Sequence, residues 1–227
     1  ARGNRPDFFD LDYKKPPPFC PRHLRFEVRG RLSHRGAELS PLAMDDVDVI
    51  AERVLAMKGP AVEAVAICLL HSYANPEHEA RVAERLRALL PDVAVVASHE
   101  VTREWREYER GNTAVLSAYV APIARQYLSQ LTQSLSGAGM ECPPYIMQSS
   151  CGVDTVAGAT ARPISIIESG PSSGVWAAAV LGELLGESNV LSFDIGGTTA
   201  KCSLVPDGQV QIKTEYHIEK NETTAGY

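Results

Sequence analysis

An aspartate, a Gly-Gly pair and two threonines interrupt an otherwise apolar run at Leu191 to Val205, which reads LSFDIGGTTAKCSLV. Two adjacent glycines let a turn reach φ > 0 and bring backbone N–H groups against an anion with no Cβ in the way. Thr198 and Thr199 add hydroxyl donors for phosphate oxygens. Asp194, at the end of an apolar strand, stands where a carboxylate can hold Mg²⁺ directly or through its waters. A plain β-hairpin with a Gly-Gly turn, capped by Asp194, uses the same residues, and spacing alone leaves both readings open. The motif is not a Walker loop, since no Gly-Lys-Ser/Thr follows, and it is not the GxGxxG fingerprint.

A second stretch upstream, IIESGPSSGVWAAAVLG, places Ser169, Gly170, Ser172, Ser173 and Gly174 at the start of a helix that leads into the strand carrying Asp194. Helix N-termini attract anions; a capped helix with glycines chosen for close packing is the competing reading. Three other clusters carry reactive residue types. In HSYANPEHE, His71 precedes a turn while Glu77, His78 and Glu79 open a helix, so the spacing fixes no metal geometry and suits the helix dipole instead. The charge run REWREYERGNT reads as a solvated face, or as a lobe contact made by its tyrosine and arginines. Ser149-Ser150-Cys151 has no base placed beside it, which argues against a nucleophile.

The elements that must position these residues follow from periodicity. LRFEVRGRL alternates like a strand, with Leu24, Phe26 and Val28 on one face. Val47, Ile50, Val54 and Leu55 recur at helical spacing, with Gly59-Pro60 as a stop. AVEAVAICLL is a short apolar run expected as a buried strand. NPEHEARVAERLRALLP is an amphipathic helix, with Asn75 as N-cap and Pro76 at the first helical position. DVAVVASHE returns to strand, and helix, strand, helix, strand with short loops predicts an α/β layer with a parallel sheet. Glu104 to Gly137 predicts one long helix or two in tandem around Pro122. PYIMQSS is a short strand, and a small-residue turn with one helical turn spans Gly152 to Pro163. PISIIESG reads as a strand, PSSGVWAAAVLGELLG as a helix, and the rest as strand, tight turn, strand, Pro-Asp-Gly turn, strand. A domain boundary falls near residues 98 to 104, where the αβ alternation stops.

The 227 residues suffice to bury a core. A net charge of -6 excludes a sequence-independent nucleic-acid binder. No apolar stretch approaches the roughly 20 residues that span a bilayer, and no signal peptide opens the sequence. Five scattered cysteines fit reduced thiols rather than disulfides or a zinc site. No membrane partner and a cytoplasmic location are therefore expected. The start without methionine and the end on NETTAGY suggest a piece of a longer polypeptide.

The order ESGPSSGV, alanine-rich helix, NVLSFDIGGTTAKCSLV resembles the hydantoinase A/5-oxoprolinase family, of the sugar kinase, actin and heat-shock ATPase superfamily. CPRHLRFEVRGRL, LLHSYANPEHE, REYERGNTAVLSAYVAPIARQYL and IMQSSCGV resemble it too, so the likeness runs from about Arg5 to the C-terminus. It implies a partial ribonuclease-H-like α/β fold, a mixed sheet with flanking helices. Residues 1–100 would close an N-terminal lobe and 101–227 would begin the ATPase lobe. The implied cofactors are ATP and Mg²⁺ (or Mn²⁺), with Asp194 catalytic and metal-holding. Gly196, Gly197, Thr198, Thr199, Ser169, Gly170 and Gly174 would bind the nucleotide. The implied activity is phosphorylation of a cyclic amide or imide carbonyl for hydrolytic ring opening, with a ketone carboxylase subunit or a non-catalytic nucleotide-binding or assembly module as alternatives. A B-type partner subunit, and hence a hetero-oligomer, is implied as well. With the first phosphate motif and the adenosine motif outside this sequence, ATP binding by the chain alone is expected to be weak or absent. Lys201 departs from oxoprolinases, which carry an acid there; it makes oxoproline a poorer substrate candidate and stays compatible with the hydantoinase and carboxylase branches.

Overall fold

The computed structural model describes residues 9, 12, 17–57, 61–197 and 199–212. Gly59-Pro60, Thr198 and the sequence from residue 213 onward lie outside the described residues. One compact unit runs up to Pro122 and a second begins at Ile123.

In the first unit, β1 (Arg31–Leu32) pairs antiparallel with β2 (Glu38–Ser40), followed by α1 (Met44–Leu55). Then come β3 (Ala64–Ile67), α2 (Glu77–Leu89), β4 (Ala94–Ala97) and the one-turn helix α3 (Ser98–Val101). β3 and β4 are parallel and in register from Ala64–Ala94 to Ile67–Ala97, as the αβ alternation predicts. Both faces of this pair are covered. Val95 and Ala97 join Ile67 in a core with Val47, Ala51 and Val54 of α1 and Val82, Ala83 and Leu86 of α2. Ala94 and Val96 point the other way, onto Ala118 and Ala121 of α4 (Glu107–Gly137). Covering a two-strand parallel pair on both sides is why β4 reads as four consecutive buried residues rather than an alternation. Asn75 caps α2, its Oδ1 accepting from the Glu77 N–H at 3.0 Å, while Pro76 already has helical dihedrals.

α4 is one helix of 31 residues with Pro122 inside it. The second unit continues with β5 (Tyr145–Met147), β6 (Val153–Thr155) and α5 (Val156–Ala161). It ends in α6 (Ser169–Leu185), β7 (Val190–Ile195) and β8 (Ala200–Val205). β5 and β6 form one antiparallel pair, and β7 and β8 another.

Three sequence expectations are corrected. Residues 25–30 carry no regular secondary structure and alternate in burial, with Phe26 and Val28 half-buried, but no described strand ladders with them, so only Arg31–Leu32 is strand. PISIIESG is not a strand: Pro163 opens a 3-10 turn to Ile166, and with no partner strand among the described residues its backbone closes locally, Ser165 N–H onto the Arg162 carbonyl. After the Pro-Asp-Gly turn, residues 209–212 carry no strand, and the rest of the expected third strand, from residue 213, lies outside the described residues.

Candidate functional site

The LSFDIGGTTAKCSLV stretch is a hairpin. Its register runs Val190–Val205, Leu191–Leu204, Ser192–Ser203, Phe193–Cys202, Asp194–Lys201 and Ile195–Ala200. The turn is closed by the Gly196 N–H donating to the Thr199 carbonyl at 2.9 Å. That bond uses the Gly196 donor inside the turn. The N–H groups of Gly197 and Thr199 have no acceptor among the described residues. Neither Gly196 nor Gly197 has a φ in the left-handed region, so the turn does not require glycine for its dihedrals. A Cβ at Gly197 would meet nothing within 4 Å, so the position opens onto free space. Asp194 is exposed, and no described residue bonds or pairs with its carboxylate. Thr198 lies outside the described residues.

α6 lies along this hairpin and is anchored near both ends. At its C-terminal end Gly182 lets β7 approach so closely that a Cβ there would stand 2.5 Å from Val190 Cγ2 and 2.9 Å from the Glu187 carbonyl oxygen. Toward its N-terminal end, Glu168 accepts an ion pair from Lys201 of β8. Glu168 is the N-cap of α6 and sits in the left-handed region at φ 62°, ψ 16°. A non-glycine residue held there is strained, by about 1 kcal/mol or more. The N–H groups of Ser169 and Gly170 have no described acceptor, Pro171 has none to offer, and the Ser172 N–H returns to the Glu168 carbonyl at 3.2 Å. Two orphan donors therefore remain at the end of α6 that Lys201 ties to the turn end of the hairpin. Gly170 and Gly174 face open space. Lys201, left by the sequence between phosphate pairing and solvent, is held by Glu168 instead.

The hairpin is two-faced. Ser192, Asp194, Lys201, Ser203 and Val205 share one face; Leu191, Phe193, Ile195 and Leu204 share the other and are exposed. α6 likewise exposes Trp176, Val180, Leu181, Leu184 and Leu185, although a helix apolar all round belongs in a core.

The remaining sequence candidates go elsewhere. Glu79 is fully buried and binds the Leu69 and His99 N–H groups, the Ser98 hydroxyl and His99 Nδ1. His78, also buried, meets Glu38 at 3.4 Å. The charge run supplies a correction: Arg110 is no solvated residue but wholly buried. Its Nε donates to Ser98 Oγ, Nη1 to the Glu104 carbonyl and Nη2 to the Leu69 carbonyl, and its guanidinium lies 5.8 Å from the Tyr73 ring centre. Cys151 donates weakly to the Ser172 carbonyl at 3.4 Å, and desolvation pushes its thiol above the ordinary range. A separate cavity of about 230 Å³ lies in the first unit, lined by residues 26–28 and 30–32, Leu42, Cys68–Leu70 and His78. No described helix is long and apolar enough to cross a membrane.

A parallel α/β layer in one unit, and in the other a glycine-turn hairpin braced by a helix, define an α/β protein. Residues 110–226 match the hydantoinase/oxoprolinase family model, and residues 1–90 match its N-terminal region. The chain belongs to the hydantoinase/oxoprolinase family. It is 33% identical to the caprolactamase subunit alpha of Pseudomonas jessenii over 94% of this chain and 30% of that protein. It is 34% identical to the acetone carboxylase beta subunit of Xanthobacter autotrophicus over 88% of this chain and 28% of that protein. Superposed on nucleotide-free acetone carboxylase, it gives a TM-score of 0.77 at 32% identity, covering 94% of this chain and 30% of the other. The fold is thus part of the ribonuclease-H-like, actin-type α/β architecture expected from the sequence. The chain spans about a third of the length of these relatives.

Proposed function

We propose that this chain is the middle of an ATP-dependent hydantoinase/oxoprolinase-type A subunit, which activates the carbonyl of a cyclic amide or imide for hydrolytic ring opening. The observation that carries the reading is the exposed Asp194, with no partner among the described residues, beside a turn whose Gly197 and Thr199 N–H groups have no acceptor among the described residues. These residues fit a polyphosphate with Mg²⁺ or Mn²⁺. Such an ion is bound through one or two carboxylates plus phosphate oxygens rather than an all-protein cage. Among the described residues no such cage of three or more ligands exists. When bound, ATP supplies the phosphoryl group that turns a poorly reactive carbonyl into an electrophile.

The chain's own residues bind and orient. Asp194 holds the metal, the turn N–H groups with Thr198 and Thr199 fix phosphate oxygens, and Gly196 closes the turn that aims them. Ser169 and Gly170 stand at the first turn of α6, where the helix dipole favours negative charge, and Gly174 lies one turn further along. The domain division at residues 100/101, a B-type partner in a hetero-oligomer and a cytoplasmic setting belong to the same proposal. The subunit names of the relatives support an assembly of several chains.

Asp194→Asn in the full-length subunit with its partner tests it. ATP-dependent ring opening should fall by several orders of magnitude, because charge stabilisation at the phosphates is lost. Unchanged activity would overturn the reading and favour an assembly module. The likeness to acetone carboxylase favours a second reading, activation of a ketone for CO₂ addition; bicarbonate-dependent ketone consumption by the intact complex would establish it and displace ring opening.

A further inference from the structure

Resting on that reading of the hairpin, we propose that Glu168 is a resident stand-in anion: it holds Lys201 until the phosphates of a nucleotide displace it and take the lysine over. Four observations converge. Lys201 stands directly across from Asp194 in the hairpin register and two residues from Thr199, on the same face as the aspartate. Its ammonium nevertheless goes to Glu168, thirty-three residues earlier in the chain and on a different element. Both side chains keep over a third of their surface in water, so the pair is screened and readily exchanged. Glu168 itself occupies left-handed backbone, which few non-glycine residues adopt.

The chemistry favours exchange. A lysine is a compact point charge on a flexible stem, suited to polyphosphate and able to swing without moving the backbone. A carboxylate offers one negative charge; a nucleotide polyphosphate offers several, with more acceptor oxygens. The two anions compete for one cation, so Glu168 weakens nucleotide binding in proportion to its hold on Lys201, and Lys201 strengthens it. Glu168 is a positioning residue here, acting on the ligand through the lysine.

The competition has a signature that a merely structural ion pair lacks: removing the two partners should act in opposite directions. In the full-length subunit with its partner, nucleotide affinity is measured by calorimetry with ATP, ADP and AMP for the wild type, Glu168→Gln, Lys201→Met and the double variant. Glu168→Gln should tighten ATP about two- to fivefold, the strength of an exposed ion pair. Lys201→Met should weaken it about tenfold or more, the loss of a charge-assisted contact. The double variant should match Lys201→Met, since Glu168 then has nothing to withhold. AMP, lacking the distal phosphates, should respond least. Weaker ATP binding in both single variants would overturn this inference while leaving the hairpin a nucleotide site. A wild-type complex that binds no nucleotide would overturn the hairpin reading and this inference with it. Lys201→Arg, which keeps the charge, should stay within a few fold of wild type; a loss as large as that of Lys201→Met would also count against displacement by charge.

Discussion

Glu79 Oε2 lies 2.8 Å from His99 Nδ1 and 3.0 Å from the His99 backbone N–H, a carboxylate on α2 holding both donors of one residue at the carboxyl end of β4. Its other oxygen takes the Leu69 N–H at 2.6 Å and the Ser98 hydroxyl at 2.7 Å. With no exposed surface, Glu79 is affordable only because both oxygens are satisfied. Glu79→Ala would strand several buried donors at once. It should lower unfolding free energy by about 3–5 kcal/mol. A fall in the urea midpoint with an unchanged m-value would show this; a loss under about 1 kcal/mol would mean that water replaces the carboxylate.

The same residue shows what the sequence could and could not disclose. Its helix was legible, because Asn75-Pro76 and the acids behind it mark an N-terminus and Val82, Ala83 and Leu86 mark the buried face. A carboxylate in a helix's first turn is usually solvated, and the periodicity gave no sign that Glu79 points inward. That depends on where β4 ends and Ser98 and His99 begin, a tertiary fact. The hairpin of β7 and β8 was legible for the same reason as the helix: alternation broken by Gly-Gly. Its link to Glu168 was not, since no local pattern joins residues on separate elements. PISIIESG failed because an apolar, β-branched run becomes a strand only where a neighbour accepts its hydrogen bonds, and no described strand does so here.

Arg110 is the partner of this network from α4, and it should not tolerate lysine. Its three donors reach Ser98 Oγ and two carbonyls in different directions, a fork geometry a single ammonium cannot reproduce. Arg110→Lys should cost about 2 kcal/mol or more by leaving the half-buried Glu104 and Leu69 carbonyls without their guanidinium donors. Thermal unfolding would register it as a clear fall in Tm, and a Tm within a degree of wild type would contradict the assigned contacts.

Acid should weaken the first unit through two carboxylates. The Arg29 guanidinium, bonded to Asp46 at 2.8 Å with the Arg29 N–H also on that carboxylate, holds Asp46 below its ordinary value of 3.8. Arg85 does the same to Asp48 across α1 and α2, through its bond at 2.7 Å. Folded protein therefore binds these protons less readily than unfolded chain. The stabilisation is present above pH 3.8, and it is lost as pH falls through the lowered folded values. Urea midpoints followed downward from pH 6 should drop more steeply in wild type than in the Asp46→Asn, Asp48→Asn double variant. Parallel curves would show that neither pair contributes.

Two glycines of α6 should respond to alanine in opposite ways, although alanine favours any helix interior over glycine by about 1 kcal/mol. At Gly174 a Cβ meets nothing within 4 Å, so Gly174→Ala should gain up to about that amount. At Gly182 the same methyl would press into Val190 Cγ2 at 2.5 Å and the Glu187 carbonyl oxygen at 2.9 Å. The carbonyl belongs to backbone that is itself fixed, its residue's N–H returning to the Gly182 carbonyl at 2.9 Å. Overpacking of that kind costs about 1–3 kcal/mol, enough to outweigh the propensity gain. Gly182→Ala should therefore lower the unfolding midpoint, and because it pushes β7 off α6 it should also weaken the hold of Glu168 on Lys201. Amide exchange along β7 and β8 would report both effects: faster in Gly182→Ala, unchanged or slower in Gly174→Ala. Equal protection in the two variants would mean that α6 does not brace the hairpin at that contact.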